Sequence, residues 1–127
     1  MLFHTFSSQE ERRSFGGSAF IEMQFCKLPL GTKKKRIVKD VDYWKLDSLY
    51  IDEEETFYLN YRQIFSDGLY RNLRTGPVDI FGINYYAPER LDSIMEMIRD
   101  KKPLDYDVLI DWLNKAREFN GFYILGI

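Results

Sequence analysis

Few side chains in this sequence are of the types that perform catalysis, and their spacing does not bring them together. A nucleophilic mechanism needs a base within reach of a hydroxyl or thiol. The chain has a single histidine, His4, and a single cysteine, Cys26. His4 falls among the first few residues and reads as a surface or sheet-edge histidine. Cys26 lies in a strand-like run without a CxxC partner and reads as a strand cysteine. Carboxylates are plentiful, 20 in 127 residues. Glu53, Glu55, Asp79 and Glu89 could supply a general acid and base, but in so acidic a chain their abundance carries little information. Asp52-Glu53-Glu54-Glu55 lacks the alternation and fixed glycine of a calcium loop, and one histidine does not make a histidine-rich metal site. Asp105 and Asp107 stand where a helix would begin, where capping and the helix dipole already account for them. Gly16-Gly17, Gly68, Gly76 and Gly82 form neither a P-loop nor a GxGxxG turn. The sequence assigns no catalytic residue, no cofactor and no metal ligand; an enzyme using carboxylates in a cleft stays as an alternative.

Recognition chemistry is better represented. The net charge is −2, which does not fit a nucleic-acid binder, yet the charge is unevenly spread. Residues 1–40 hold eight Lys/Arg against four Asp/Glu, and residues 41–67 hold two against seven. In the acidic block, Asp42, Asp47, Asp52, Glu53, Glu54, Glu55 and Asp67 are interleaved with Tyr43, Trp44, Tyr50, Phe57, Tyr58 and Tyr61. Carboxylates steer a basic partner and aromatic side chains anchor it. The partner-binding candidates are accordingly Asp52, Glu53, Glu54, Glu55, Tyr58 and Tyr61. The plainer reading puts the aromatics in the core and the acids in solvent. The basic cluster Lys33-Lys34-Lys35-Arg36 could hold phosphates; a solvated hairpin tip that blunts a sheet edge fits the acidic total better, so nucleic acid is not the expected partner.

These residues must be positioned by elements that hydrophobic spacing predicts. The whole chain, 1–127, reads as one domain that is 45% hydrophobic, 17% aromatic and able to bury a core. Ser7–Gly17 reads as a loop with room for one helical turn. Phe20–Leu28 alternates, with Ile21, Met23 and Phe25 on one side and Glu22 and Gln24 on the other, so it predicts a strand. Gly31–Arg36 reads as a charged turn leading to a hairpin return at Ile37-Val38. A strand is expected around Ser48–Ile51. Glu53–Phe65 fits helix or strand, and the acids at its start favour helix. Arg71–Pro77 reads as a loop and Val78–Tyr86 as a strand. Leu91, Ile94, Met95 and Ile98, then Leu109, Trp112, Leu113 and Ala116, draw two amphipathic stripes. Asn120-Gly121 stops the second helix, and Phe122–Ile127 is an apolar strand that must dock in a sheet. The expected fold is α+β, a mainly antiparallel sheet with two C-terminal amphipathic helices on one face. No stretch approaches the roughly 18 apolar residues of a membrane span, no targeting segment is visible, and a lone cysteine suits a reducing compartment, so the cytoplasm is the expected location.

The size, mild acidity, aromatic richness and α+β pattern, with GPVDIFGINYY, two amphipathic helices and NGFYILGI over Gly76–Ile127, resemble the small immunity proteins of bacterial contact-dependent growth inhibition and polymorphic toxin systems. The resemblance is of whole-chain character and carries no functional position over. It implies tight binding to a cognate toxin domain, often a basic nuclease, and no turnover of its own. The basic N-terminal third departs from a purely acidic mimic.

Overall fold

Leu91, Ile94, Met95 and Ile98 lie on one face of a helix, Leu91–Lys101, and all four are buried, as are Leu109, Trp112, Leu113 and Ala116 of the helix Tyr106–Ala116. Both stripes pack on one sheet. In a computed structural model describing residues 1–127, the elements run α1 (Gln9–Gly16), β1 (Ile21–Phe25), α2 (Lys34–Ile37), β2 (Leu49–Ile51), α3 (Glu54–Tyr61), β3 (Gly68–Tyr70), β4 (Thr75–Gly76), β5 (Ile83–Tyr86), a 3-10 turn (Pro88–Arg90), α4 (Leu91–Lys101), α5 (Tyr106–Ala116) and β6 (Phe122–Leu125). The sheet order is β2-β1-β6-β5-β3-β4, and every neighbouring pair is antiparallel. The apolar C-terminal strand β6 sits at its centre, between β1 and β5. The fold is α+β, and no helix is long and apolar enough to cross a membrane.

Strand alternation divides the core. Register places Met23 opposite Ile124 and Leu49, and Phe25 opposite Phe122, so these side chains share a face. α3, α4 and α5 cover that face, and Trp112 stacks on Phe25 with ring centroids 4.2 Å apart. The opposite face carries Tyr85, Tyr123 and Leu125, which meet Ile37 and Val38. The chain's covering of this second face is mostly irregular.

Several sequence expectations change. The predicted hairpin return at 31–38 is the helical turn α2: the Arg36 and Ile37 amides donate to the Lys33 carbonyl, and Ile37 and Val38 bury on the tyrosines instead of pairing in the sheet. The 7–17 loop is an eight-residue helix, because Ser8 caps it by accepting from the Glu11 amide at 3.0 Å. Glu22 and Gln24 do not face solvent; both are buried. Only 83–86 of the predicted 78–86 strand is extended. Asp79 turns the segment before it, accepting from the Phe81 amide at 2.9 Å while Asn84 bonds the Asp79 amide and carbonyl. The 71–77 loop contains the short edge strand β4. α5 ends at Ala116 and the chain turns through Asn120 before Gly121, whose φ of +78° brings it so near the Tyr86 carbonyl that a Cβ would lie 2.1 Å from it.

Candidate interaction surfaces

The acidic segment folds as a helix because three carboxylates complement its N-terminal dipole while Phe57 and Tyr61, four apart, reach the core. That geometry sorts the predicted site residues. Glu53 and Glu55 are exposed, and Glu54 is half-buried. Asp52, just before α3, is partly tied up: its Oδ1 lies 3.0 Å from His4 Nε2. His4 itself bridges to Tyr50 at the open edge of β2, so it is the sheet-edge histidine expected. Tyr58 is half-buried, with its ring against the core and Arg62 over it at 5.7 Å.

Tyr61 is a correction. It is fully buried, stacks on Phe57, meets Phe3 edge-on, and donates its hydroxyl to the Leu104 carbonyl at 2.6 Å. Burial raises its pKa well above the ordinary tyrosine value, with Asp105 and Asp107 adding to the effect. It joins α3 to the start of α5 and is closed to a partner. Phe57 and Tyr50 are core residues too. Tyr50, Phe57 and Tyr61 thus face the core, Trp44 and Tyr58 are half-buried and Tyr43 is exposed, and the aliphatic group that α3 presents is Leu59, 59% exposed. In the strand alternative for 53–65, Leu59 alternates with Phe57 and Tyr61 on one side; in the helix it falls off the Phe57/Tyr61 stripe, and that was the available signal.

The other candidates disperse. Asp105 accepts from the Leu2 amide at 2.7 Å instead of capping α5, and it has a left-handed φ of 56°. Glu53 precedes α3 as its N-cap, Glu55 is in its first turn, Asp79 is in the turn before β5, and Glu89 is in the 3-10 turn. No group of three or more His, Cys, Asp or Glu side chains converges to metal-binding geometry. Cys26 is buried with its Sγ 3.5 Å from Tyr123 Oη. A half-open recess lined by Met1, His4, Phe6, Glu11 and Phe15 adjoins the His4–Asp52 pair.

Two features were not visible as sites. Glu22, read as solvent-facing, is a buried acceptor for four donors: Trp44 N at 2.7 Å, Lys45 N at 3.0 Å, Ser48 Oγ at 2.6 Å and Gln24 Nε2 at 3.0 Å. Phe81 stands 74% exposed on the Asp79–Asn84 turn. Lys33, Lys34, Lys35, Arg36 and Lys39, on and beside α2, are exposed on the sheet face opposite α3. Compared with known proteins, the chain matches no family model, no curated protein and no solved structure.

Proposed function

We propose that this is a binding protein that holds and neutralises a toxin domain in the cytoplasm, as an immunity protein does, and that the outer face of α3 meets a basic surface of that toxin. The observation that carries the reading is the exposed carboxylates at the start of α3, Glu53 at its N-cap and Glu55 in its first turn, on a helix held to the core by Phe57 and Tyr61. A helix fixed in this way presents its charge without the cost of ordering backbone on binding, and Leu59 gives it an apolar contact between polar neighbours. Tyr58, half-buried, contributes its exposed edge.

The test needs a cognate toxin domain, to be sought in the reading frames that adjoin this one. Co-expression is expected to rescue growth with no small-molecule turnover. Changing Glu53, Glu54 and Glu55 together to Lys should slow association at low salt and matter less as salt screens the field. Leu59→Ala should instead speed dissociation. Equal binding by the triple variant at every salt concentration would remove α3 as the interface. Failure to rescue would remove the immunity reading itself.

A further inference from the structure

The composition points away from polyanions, but composition averages over a surface that the fold divides. Within seven residues α2 and its flanks carry Lys33, Lys34, Lys35, Arg36 and Lys39, all exposed. The chain forms four salt bridges, and none involves any of these five cations. Lys33, Lys35, Arg36 and Lys39 line a shallow recess of about 240 Å³, with Asp40 the one carboxylate and no hydrophobic residue in its wall. The segment is not a loose tip. Tyr123 donates to the Ile37 carbonyl at 2.6 Å, Ile37 and Val38 are buried, and Lys34 lies over the Tyr85 ring at 5.2 Å. Like charges held together without counter-ions repel, so a rigid turn of this kind is most stable with an anion in place.

The acidic helix does not cancel this field. α3 packs on one face of the sheet and α2 on the other. Helices on opposite faces are separated by about 20 Å, two layer spacings of roughly 10 Å, which exceeds two Debye lengths of about 8 Å at physiological salt.

We infer that the α2 turn is a phosphate-backbone site for double-stranded nucleic acid, independent of the α3 face. The wall chemistry selects this ligand. A protein partner would need an apolar centre to its interface, and the recess has none. No aromatic ring lines the recess to stack an unpaired base, so the contacts are to phosphates of a duplex and carry no sequence preference.

The experiment is fluorescence anisotropy of a fluorescein-labelled DNA duplex of mixed sequence, titrated with the full chain. Four phosphate contacts give a slope of about −3.6 in log K against log salt, a loss of roughly 150-fold between about 50 and 200 mM salt. The variant Lys33→Gln, Lys35→Gln, Arg36→Gln, Lys39→Gln should lose the binding while keeping the native melting curve. A Glu53→Gln, Glu54→Gln, Glu55→Gln variant should bind DNA at least as well as the parent, although its toxin binding falls, so the two surfaces fail separately. Undiminished DNA binding by the α2 variant would overturn the inference. So would sedimentation with phosphatidylserine vesicles in the absence of DNA binding, or a low-salt dimer, abolished in both variants, that accounts for the anisotropy change.

Discussion

Replacing Glu22 tests how the second sheet face is closed. Its carboxylate is 1% exposed and takes four hydrogen bonds, one on Oε1 from Trp44 N and three on Oε2 from Gln24, Lys45 N and Ser48. In Glu22→Ala all four donors lose this acceptor; the Gln24 amide keeps its bond to the Asp42 carbonyl at 2.7 Å but has one N–H left over. Trp44 and Lys45 belong to a surface loop and can turn to water, but Ser48 and Gln24 are 0% and 5% exposed. Leaving two buried donors unmatched at about 1–3 kcal/mol each gives about 2–6 kcal/mol, a large part of the roughly 5–15 kcal/mol that holds a domain of this size. Glu22→Gln keeps an oxygen for the three donors on Oε2 and turns its amide towards Trp44 N, so one bond is lost and about 1–3 kcal/mol is expected. Urea unfolding followed by tryptophan fluorescence and by circular dichroism measures both. A Glu22→Ala protein within about 1 kcal/mol of the parent, or a Glu22→Gln protein less stable than the alanine variant, would refute the reasoning.

Trp112→Ala should cost about 3–5 kcal/mol, the range for truncating a buried aromatic, because the ring stacks on Phe25, meets Phe122 edge-on and donates to the Asp47 carbonyl at 2.9 Å; a smaller loss in urea unfolding would contradict its place in the core. Raising the pH should unfold the protein cooperatively. Burial, with Glu22 adding to it, pushes the Tyr50 pKa up to about 12, and burial lifts Tyr61, Tyr85, Tyr86 and Tyr123 further. A pKa raised in the folded state means that the associated stability is complete below the ordinary value of 10.0 and falls as pH rises through the folded values. Tyrosinate absorbance from these five residues should therefore appear together with the loss of ellipticity; absorbance from them in a still-native protein would contradict the burial argument.

The helices of the first sheet face, α3, α4 and α5, were legible because they rest on local periodicity. The stripes over 91–98 and 109–116 need only their own spacing to be recognised, and the helix favoured over 53–65 forms because its acids and its Phe57/Tyr61 pair agree on one geometry. What was illegible depends on partners distant in sequence. Glu22 looks like the polar half of an alternating strand, and nothing in residues 20–28 announces that Trp44, Lys45 and Ser48 fold over it. The same holds for α2, whose apolar Ile37-Val38 is a fair hairpin signal until Tyr85 and Tyr123 supply a surface for it. At the candidate site the acids could be placed from sequence and the aromatics could not. Tyr58 and Tyr61 are of one type and three residues apart, yet one keeps an edge in solvent and the other is sealed beneath Leu104.

The difference between the two covers of the sheet follows from which backbone groups each leaves unpaired. Helices satisfy their own amides and carbonyls, so α3, α4 and α5 can lie on a face made largely of apolar side chains such as Ile21, Met23, Phe25, Leu49, Ile51, Phe122 and Ile124. Irregular chain leaves its carbonyls and amides open, and it can cover a sheet only where the sheet supplies partners. The second face does so residue by residue. Gln24 donates to the Asp42 carbonyl at 2.7 Å, Tyr50 to Lys45 at 2.5 Å, Tyr123 to Ile37 at 2.6 Å and Tyr85 to Asn120 at 2.8 Å, while Glu22 accepts the amides of Trp44 and Lys45. Tyrosine suits this task because its ring buries as a hydrophobe and its hydroxyl reaches a carbonyl at the far end. Three of the chain's nine tyrosines, Tyr50, Tyr85 and Tyr123, serve in this way to close one sheet face without long helices. That same closure fixes the short basic turn in place on the side of the sheet away from the acidic helix.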